Sequence, residues 1–160
     1  MFAPVTRRRR VSAVRGLLLL ALACCAVSLV WILLSPDPGL ASRTVTSVSS
    51  LLQRLGVPAS LAGSAHLEFA LNVAMVVPLT FIAQMLWPRF GWERWTAYVL
   101  VLACAVELLQ GLLLPQRTAQ FVDVVANALG AATGAGLAQL LLGMSSRATR
   151  KDAAARDASR

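Results

Sequence analysis

Charge is scarce in this chain. Asp, Glu, Lys and Arg make up only 14% of the residues, and the 7 acids are outnumbered by 15 Lys and Arg. A soluble domain carries about a quarter of its residues charged. With 58% hydrophobic residues and a mean hydropathy of +0.69, an ordinary soluble domain is excluded. Metal-ligating residues are equally sparse. There is one histidine, and Cys24, Cys25 and Cys104 lack paired spacing, so neither a metal-ligand cluster nor a disulfide framework is expected. The cysteines read as small buried residues of apolar segments. The chain has no P-loop and no nucleophile elbow, which argues against ATP-driven transport and the familiar hydrolases, and no cofactor is implied. The net charge of +8 is not laid out as a basic stripe interleaved with aromatics, so no nucleic-acid partner is expected.

What the chain has instead is four long apolar runs, at about 17–34, 67–87, 95–114 and 122–142. Each approaches the ~20 residues needed to cross hydrocarbon as a helix. The expected fold is all-α, an integral membrane bundle of four transmembrane helices. No separate soluble domain of the usual ~100 residues fits beside them. A signal peptide is the competing reading of the first run, with Ala21-Leu-Ala23 as a cleavage-like site. The apolar stretch continues through Leu34, longer than a signal core, which favours an uncleaved first helix.

The cations flank the runs and set an orientation. Arg7 to Arg10 and Arg15 precede the first, Arg89 and Arg94 lie between the second and third, and Arg147, Arg150, Lys151, Arg156 and Arg160 follow the fourth. Only Arg43, Arg54 and Arg117 fall in the other two connections. The positive-inside rule therefore places both termini in the cytoplasm. Trp87, Trp92, Trp95 and Tyr98 mark an inner aromatic belt, and Trp31 an outer one. On this reading 1–16 is a basic cytoplasmic N-terminus, 17–142 the membrane domain and 143–160 a basic tail with little hydrophobic mass, expected to be disordered or frayed.

The one long connection, 35–66, opens with the turn-forming Ser35-Pro-Asp-Pro-Gly39. Val45, Val48, Leu51, Leu52 and Leu55 then recur at helical spacing, describing an amphipathic helix of about three turns that ends near Gly56 and Pro58. It either lies on the outer membrane surface or packs on top of the bundle.

Against this apolar background the polar residues stand out. Glu107 and Gln110 lie three apart in the third run, Asp123 and Asn127 four apart in the fourth, and Glu68 and Asn72 four apart in the second, so each pair shares one helix face. Counting ~1.5 Å per residue from the outer ends puts Gln110 and Glu107 about 6 and 10 Å deep, Asn127 about 8 Å deep and Asn72 at a similar level. A carboxylate at such depth is costly and marks a functional site by default. The stripes should face one another or a watery cavity, since lipid would leave them unpaired. Arg117, in the connection before Phe121, is placed to reach Glu107 or Asp123, or to bind a phosphate on a ligand, with its planar fork.

The plainer alternative is structural. Asn72 and Gln110 alone read as interhelical hydrogen-bonding residues, and an Arg with two acids can be a static network. Glu107, Arg117 and Asp123 together exceed what packing needs. His66 reads as a snorkelling or capping residue, because a metal site needs three or four convergent ligands. Gly130 and Gly134 continue the Asn127 face in a GxxxG relation that allows close helix approach, and Pro78 removes one backbone hydrogen bond from the second run and should kink it.

The set Glu107-x-x-Gln110, Arg117, Asp123, Asn127, Gly130 and Gly134, with His66-x5-Asn72-x5-Pro78-Leu79 upstream, resembles the signature of VanZ-like membrane proteins. The resemblance covers roughly 67–142. Thr80 after Leu79, and Val76-Val77 before Pro78, depart from the family's usual Gly and aromatic. What the resemblance implies is a bacterial inner-membrane location and an envelope-related role. The family takes its name from a protein associated with resistance to the glycopeptide teicoplanin. The expected function is an outer-leaflet polar site, formed by Asn72, Glu107, Gln110, Arg117, Asp123 and Asn127, that binds a membrane lipid, a lipid-linked wall precursor or a lipophilic glycopeptide antibiotic. Two alternatives stand beside it: a membrane hydrolase or transferase on a lipid-linked substrate, in which Glu107 and Asp123 divide acid and base roles, and a structural scaffold or subunit.

Overall fold

The computed structural model describes residues 5–34, 38–113 and 120–158. Arg117, assigned a central role above, lies outside them. Five helices follow in order: α1 (Val5–Leu34), α2 (Pro38–Arg54), α3 (Ser64–Leu86), α4 (Trp92–Leu113) and α5 (Phe121–Ala158). There is no strand among the described residues. Four of the helices, all but α2, are long and apolar enough to cross a membrane.

Local chemistry explains the boundaries. Gly63 precedes α3 in an extended conformation, and at the other end the Trp87 N–H closes on the Ala83 carbonyl before Pro88 prevents continuation. Pro78 sits inside α3, which runs through it. The Thr80 hydroxyl donates to the Val76 and Val77 carbonyls at 3.1 and 3.3 Å and so hides its polarity within its own helix. The amphipathic segment of the long connection forms, and α2 is longer than the three turns its apolar spacing indicates, beginning at Pro38.

Two expectations are corrected. The tail is not structureless up to its end: α5 continues past Met144 to Ala158. Residues 144–158 contain neither Gly nor Pro and are rich in Ala and Arg, strong helix formers that extend a helix already nucleated in the bundle. The cysteines are not buried. Cys24 and Cys104 are exposed and Cys25 partly so, all three as free thiols. In a membrane bundle a small apolar side chain faces lipid as readily as a neighbour, so residue type alone does not decide.

The helices assemble around α5, which packs against both α3 and α4, while α1 and α2 lean on α3. α3 and α5 run parallel: Asn72 meets Asp123, Gly130 meets Val73 and Val76, Gly134 meets Val77 and Thr80, and Gln84 meets Gln139. α4 runs the other way, since Trp92 meets Gln139 and Glu107 meets Gln120. The core is made of small residues, with Ala126, Ala131, Ala135 and Ala138 wholly enclosed on α5 and Gln84 and Thr80 the largest fully buried side chains. Leu17, Leu20, Val27, Leu102, Leu108 and Leu140 point outward, as lipid-facing side chains do. At the α3–α4 turn, Phe90 stacks on Tyr98 (5.5 Å between ring centroids) and packs on Trp95 (4.9 Å), with the Arg94 guanidinium 5.7 Å above the Phe90 ring.

Candidate functional site

The polar residues singled out from sequence converge on the first turn of α5. From α3, the Asn72 side-chain amide donates to Asp123 Oδ1 at 2.7 Å across 51 residues of chain. From α4, Glu107 Oε2 accepts the Gln120 backbone N–H at 2.8 Å, immediately before α5 begins. Asn72, Glu107 and Asp123 are all half-buried. The location has a physical reason. The first turn of a helix presents unsatisfied N–H groups and the positive end of its dipole, so two carboxylates drawn from separate helices are stabilised there.

Gln110 and Asn127 are also half-buried, one turn further along their respective faces. Glu68 and His66 are exposed and sit at the margin of this cluster. α3 starts at Gly63 without a side-chain cap, so His66 does not cap it, and no group of three potential metal ligands occurs among the described residues. The snorkelling half of the His66 expectation fits its exposure.

Below the cluster the seam closes. A Cβ on Gly130 would lie 2.6 Å from the Val73 carbonyl oxygen, and one on Gly134 would collide with the Val77 carbonyl and the Thr80 hydroxyl. The backbones of α3 and α5 therefore touch for a full turn, which fixes the height at which Asn72 meets Asp123. The close approach expected from the GxxxG spacing is found, with α3 as the partner.

A second polar layer lies at the opposite end of the same seam. Gln139 Oε1 accepts the Trp92 backbone N–H at 3.1 Å, and the fully buried Gln84 amide makes long contacts to Gln139 Oε1 (3.5 Å) and the Pro88 carbonyl (3.4 Å). The polar set drawn from sequence leaves these amides out. Their signal is the one that marks Asn72, an amide inside an apolar span. Gln120 carries no such signal, because it contributes only its backbone N–H.

Chemically, the described part of the α5-terminal cluster is rich in acceptors. Two carboxylates, one bonded by the Asn72 amide and one by the Gln120 N–H, with the half-buried amides of Gln110 and Asn127 nearby, complement a donor-rich group such as hydroxyls or amines. These features define a polytopic helical membrane protein with a polar cluster at one end of a tightly packed bundle. The chain matches the VanZ/LLP1 family over residues 18–142 and belongs to that family. No curated protein and no solved structure matches it significantly. Family membership supports an envelope- or antibiotic-resistance-related role.

Proposed function

We propose that the cluster at the start of α5 is a receptor for the polar head of an envelope amphiphile, either a lipid-linked wall precursor or a lipophilic glycopeptide, in the outer leaflet of the bacterial inner membrane. The carrying observation is the Asn72–Asp123 hydrogen bond at 2.7 Å, which holds a half-buried carboxylate at the junction of two helices. Glu107 adds a second carboxylate from a third helix. Wall precursors and glycopeptides both present sugar hydroxyls and amide or amine donors beside a lipid part, matching an acceptor-rich site bordered by apolar helix faces. A phosphate on such a ligand falls to Arg117, whose fork suits it.

The closed seam at Gly130 and Gly134 favours a site at one end of the bundle over a conduit between the two ends. A second reading has an observation of its own: Glu107 accepts the N–H just before α5, which is also what a purely structural anchor for that helix would do.

The experiment is a comparison of the lipids that co-purify with the wild-type protein and with Glu107→Gln/Asp123→Asn, which keeps shape but turns carboxylate acceptors into amides. One amphiphile class enriched over bulk lipid and lost from the variant is the expected result. Identical lipid profiles in two equally well-folded proteins leave the anchor reading in its place. Orientation is tested separately, with Ser47→Cys and Gln116→Cys reacting with an impermeant thiol reagent in intact cells. Arg89→Cys, in the same background with Cys24, Cys25 and Cys104 replaced, is the opposite probe, and its labelling without that of positions 47 and 116 would reverse the cytoplasmic placement of the termini and move the site to the inner leaflet.

A further inference from the structure

α2 has an apolar flank that the bundle leaves uncovered. Val45 is buried, and Val48, Ser49 and Leu52 are half-buried on the side facing α3, with the Ser49 hydroxyl tied to the Ala62 carbonyl at 2.7 Å. Leu51 and Leu55, four residues apart, are 55% and 72% exposed, and Leu61 just beyond is 64% exposed. At 100° per residue, Leu51 and Leu55 lie about 80 to 120° around the helix from Val45, beside the packed face. The opposite side is basic and carries no acid. Arg43 and Arg54 are both exposed, eleven residues or about three turns apart and so on one stripe, and residues 38–63 contain neither Asp nor Glu.

α2 lies between two helices that are apolar enough to span, and the Ser49–Ala62 hydrogen bond holds it beside the residues that lead into α3, at one end of a spanning segment. We infer that α2 is an interfacial anchor, with Leu51, Leu55 and Leu61 in the acyl boundary of the bilayer and Arg43 and Arg54 bound to the headgroups of anionic phospholipids. An apolar flank beside a cationic stripe is the combination that holds an amphipathic helix in the headgroup plane. The exposed leucines complement any apolar surface, and the cations beside them select the occupant. The charge complement of two unaccompanied arginines is an anionic lipid surface. The inference holds whichever leaflet this end of the bundle faces.

The test uses the full chain with Cys24, Cys25 and Cys104 replaced by Ala. A nitrobenzoxadiazole label is placed at Leu55→Cys or, on the polar side of the same helix, at Ser47→Cys, and the protein is reconstituted in phosphatidylcholine vesicles, alone or mixed with phosphatidylglycerol. The Leu55 label should emit to the blue of the Ser47 label, be quenched by spin-labelled lipid and resist iodide. Phosphatidylglycerol should strengthen the difference, and in Arg43→Gln or Arg54→Gln about five-fold more of it should be needed for the same response, the factor that corresponds to ~1 kcal/mol per cation at a membrane surface. Equal iodide quenching at both positions overturns the anchor. An unchanged phosphatidylglycerol response in the double arginine variant overturns the headgroup contacts.

Discussion

α1 and α5 are opposites. α1 contains the most apolar spanning segment of the four, and none of it is buried inside the bundle; the spanning segment of α5 is the least apolar and the most buried. In a soluble protein the relation would run the other way. Here lipid is as apolar as leucine, so a large aliphatic side chain gains nothing by turning inward, and the bundle interior goes to residues that let backbones touch or that need a hydrogen-bond partner. α5 supplies both kinds, with Gly130 and Gly134 against α3 and the half-buried Asp123 bonded to Asn72. The polar cluster follows the same division, because the two helices that pack on each other most, α3 and α5, supply Asn72 and Asp123.

Gly134→Leu breaks the comparison most severely. The new side chain meets the Val77 carbonyl and the Thr80 hydroxyl, and backbone cannot move aside as a flexible side chain can. Overpacking typically costs about 1 to 3 kcal/mol, and a backbone obstacle puts the expected loss at or above that upper value. Thermal unfolding in detergent should show a much lowered midpoint or no folded protein. The control is two residues away. Nothing lies within 4 Å of a Cβ on Gly136, so Gly136→Ala should be neutral or stabilising by up to ~1 kcal/mol through helix propensity. If both glycines tolerate substitution equally, the close seam is not what holds α5.

Removing the Asn72 amide is the next largest change. Hydrogen bonds to charged groups contribute about 1.5 to 3 kcal/mol in water-soluble proteins. Interhelical bonds inside membranes average only ~0.6 kcal/mol, because the separated helices find other partners. Since Asn72 and Asp123 are half-buried near one end, the expected cost of Asn72→Ala is about 1 kcal/mol, between those values. A double-mutant cycle with Asp123→Ala should recover most of it as coupling. A coupling near zero would mean that Asp123 is held mainly by its other surroundings.

Much of this arrangement is legible in the sequence. The four spans are, because an apolar run near twenty residues has few other uses, and the level of the polar residues is legible to within one turn: helical rise sets Asn72 level with Asn127, and the structure pairs it with Asp123, four residues earlier on the same face. Three features are not. The Glu107 contact runs to a backbone N–H, and every residue but proline has one, so no pattern of side chains announces it. The partner of the GxxxG face is undetermined until the parallel register of α3 and α5 is known. The outward cysteines are unreadable because lipid and protein are equally good surroundings for a thiol. Helix persistence beyond Met144 was open to a propensity argument, which low hydrophobic content outweighs in a free segment but not in one continuous with a packed helix.

The amides at the far end of the seam should separate from each other. Gln139 accepts the Trp92 N–H, so Gln139→Leu removes a backbone partner and should cost about 1 kcal/mol. Gln84 is held by two long contacts and its Oε1 is buried without a partner. Gln84→Leu replaces an unpaired carbonyl with carbon of similar size and should be neutral or slightly stabilising. A loss at Gln84 equal to that at Gln139 would show that the long contacts carry more than their lengths indicate.

The smallest effects belong to α1, and they bear most directly on the contrast with α5. Leu20 and Val27 are 62% and 68% exposed. Truncating either to Ala in a soluble core would cost about 1 to 5 kcal/mol, through lost burial and a cavity. Here the side chain trades one apolar contact for another, with no cavity created, so Leu20→Ala and Val27→Ala should shift the unfolding midpoint by no more than ordinary surface substitutions do, within ~0.5 kcal/mol. Membrane insertion should survive, since the remaining run stays long and apolar. A drop comparable to that of Gly134→Leu would mean that something other than lipid covers α1, and a second copy of the chain is the first candidate because α3 is the main neighbour of α1 among the described residues. Measuring the same variants over a range of protein-to-detergent ratios distinguishes the two: a lipid-facing helix gives a midpoint independent of the ratio, whereas an interface between copies gives one that falls on dilution.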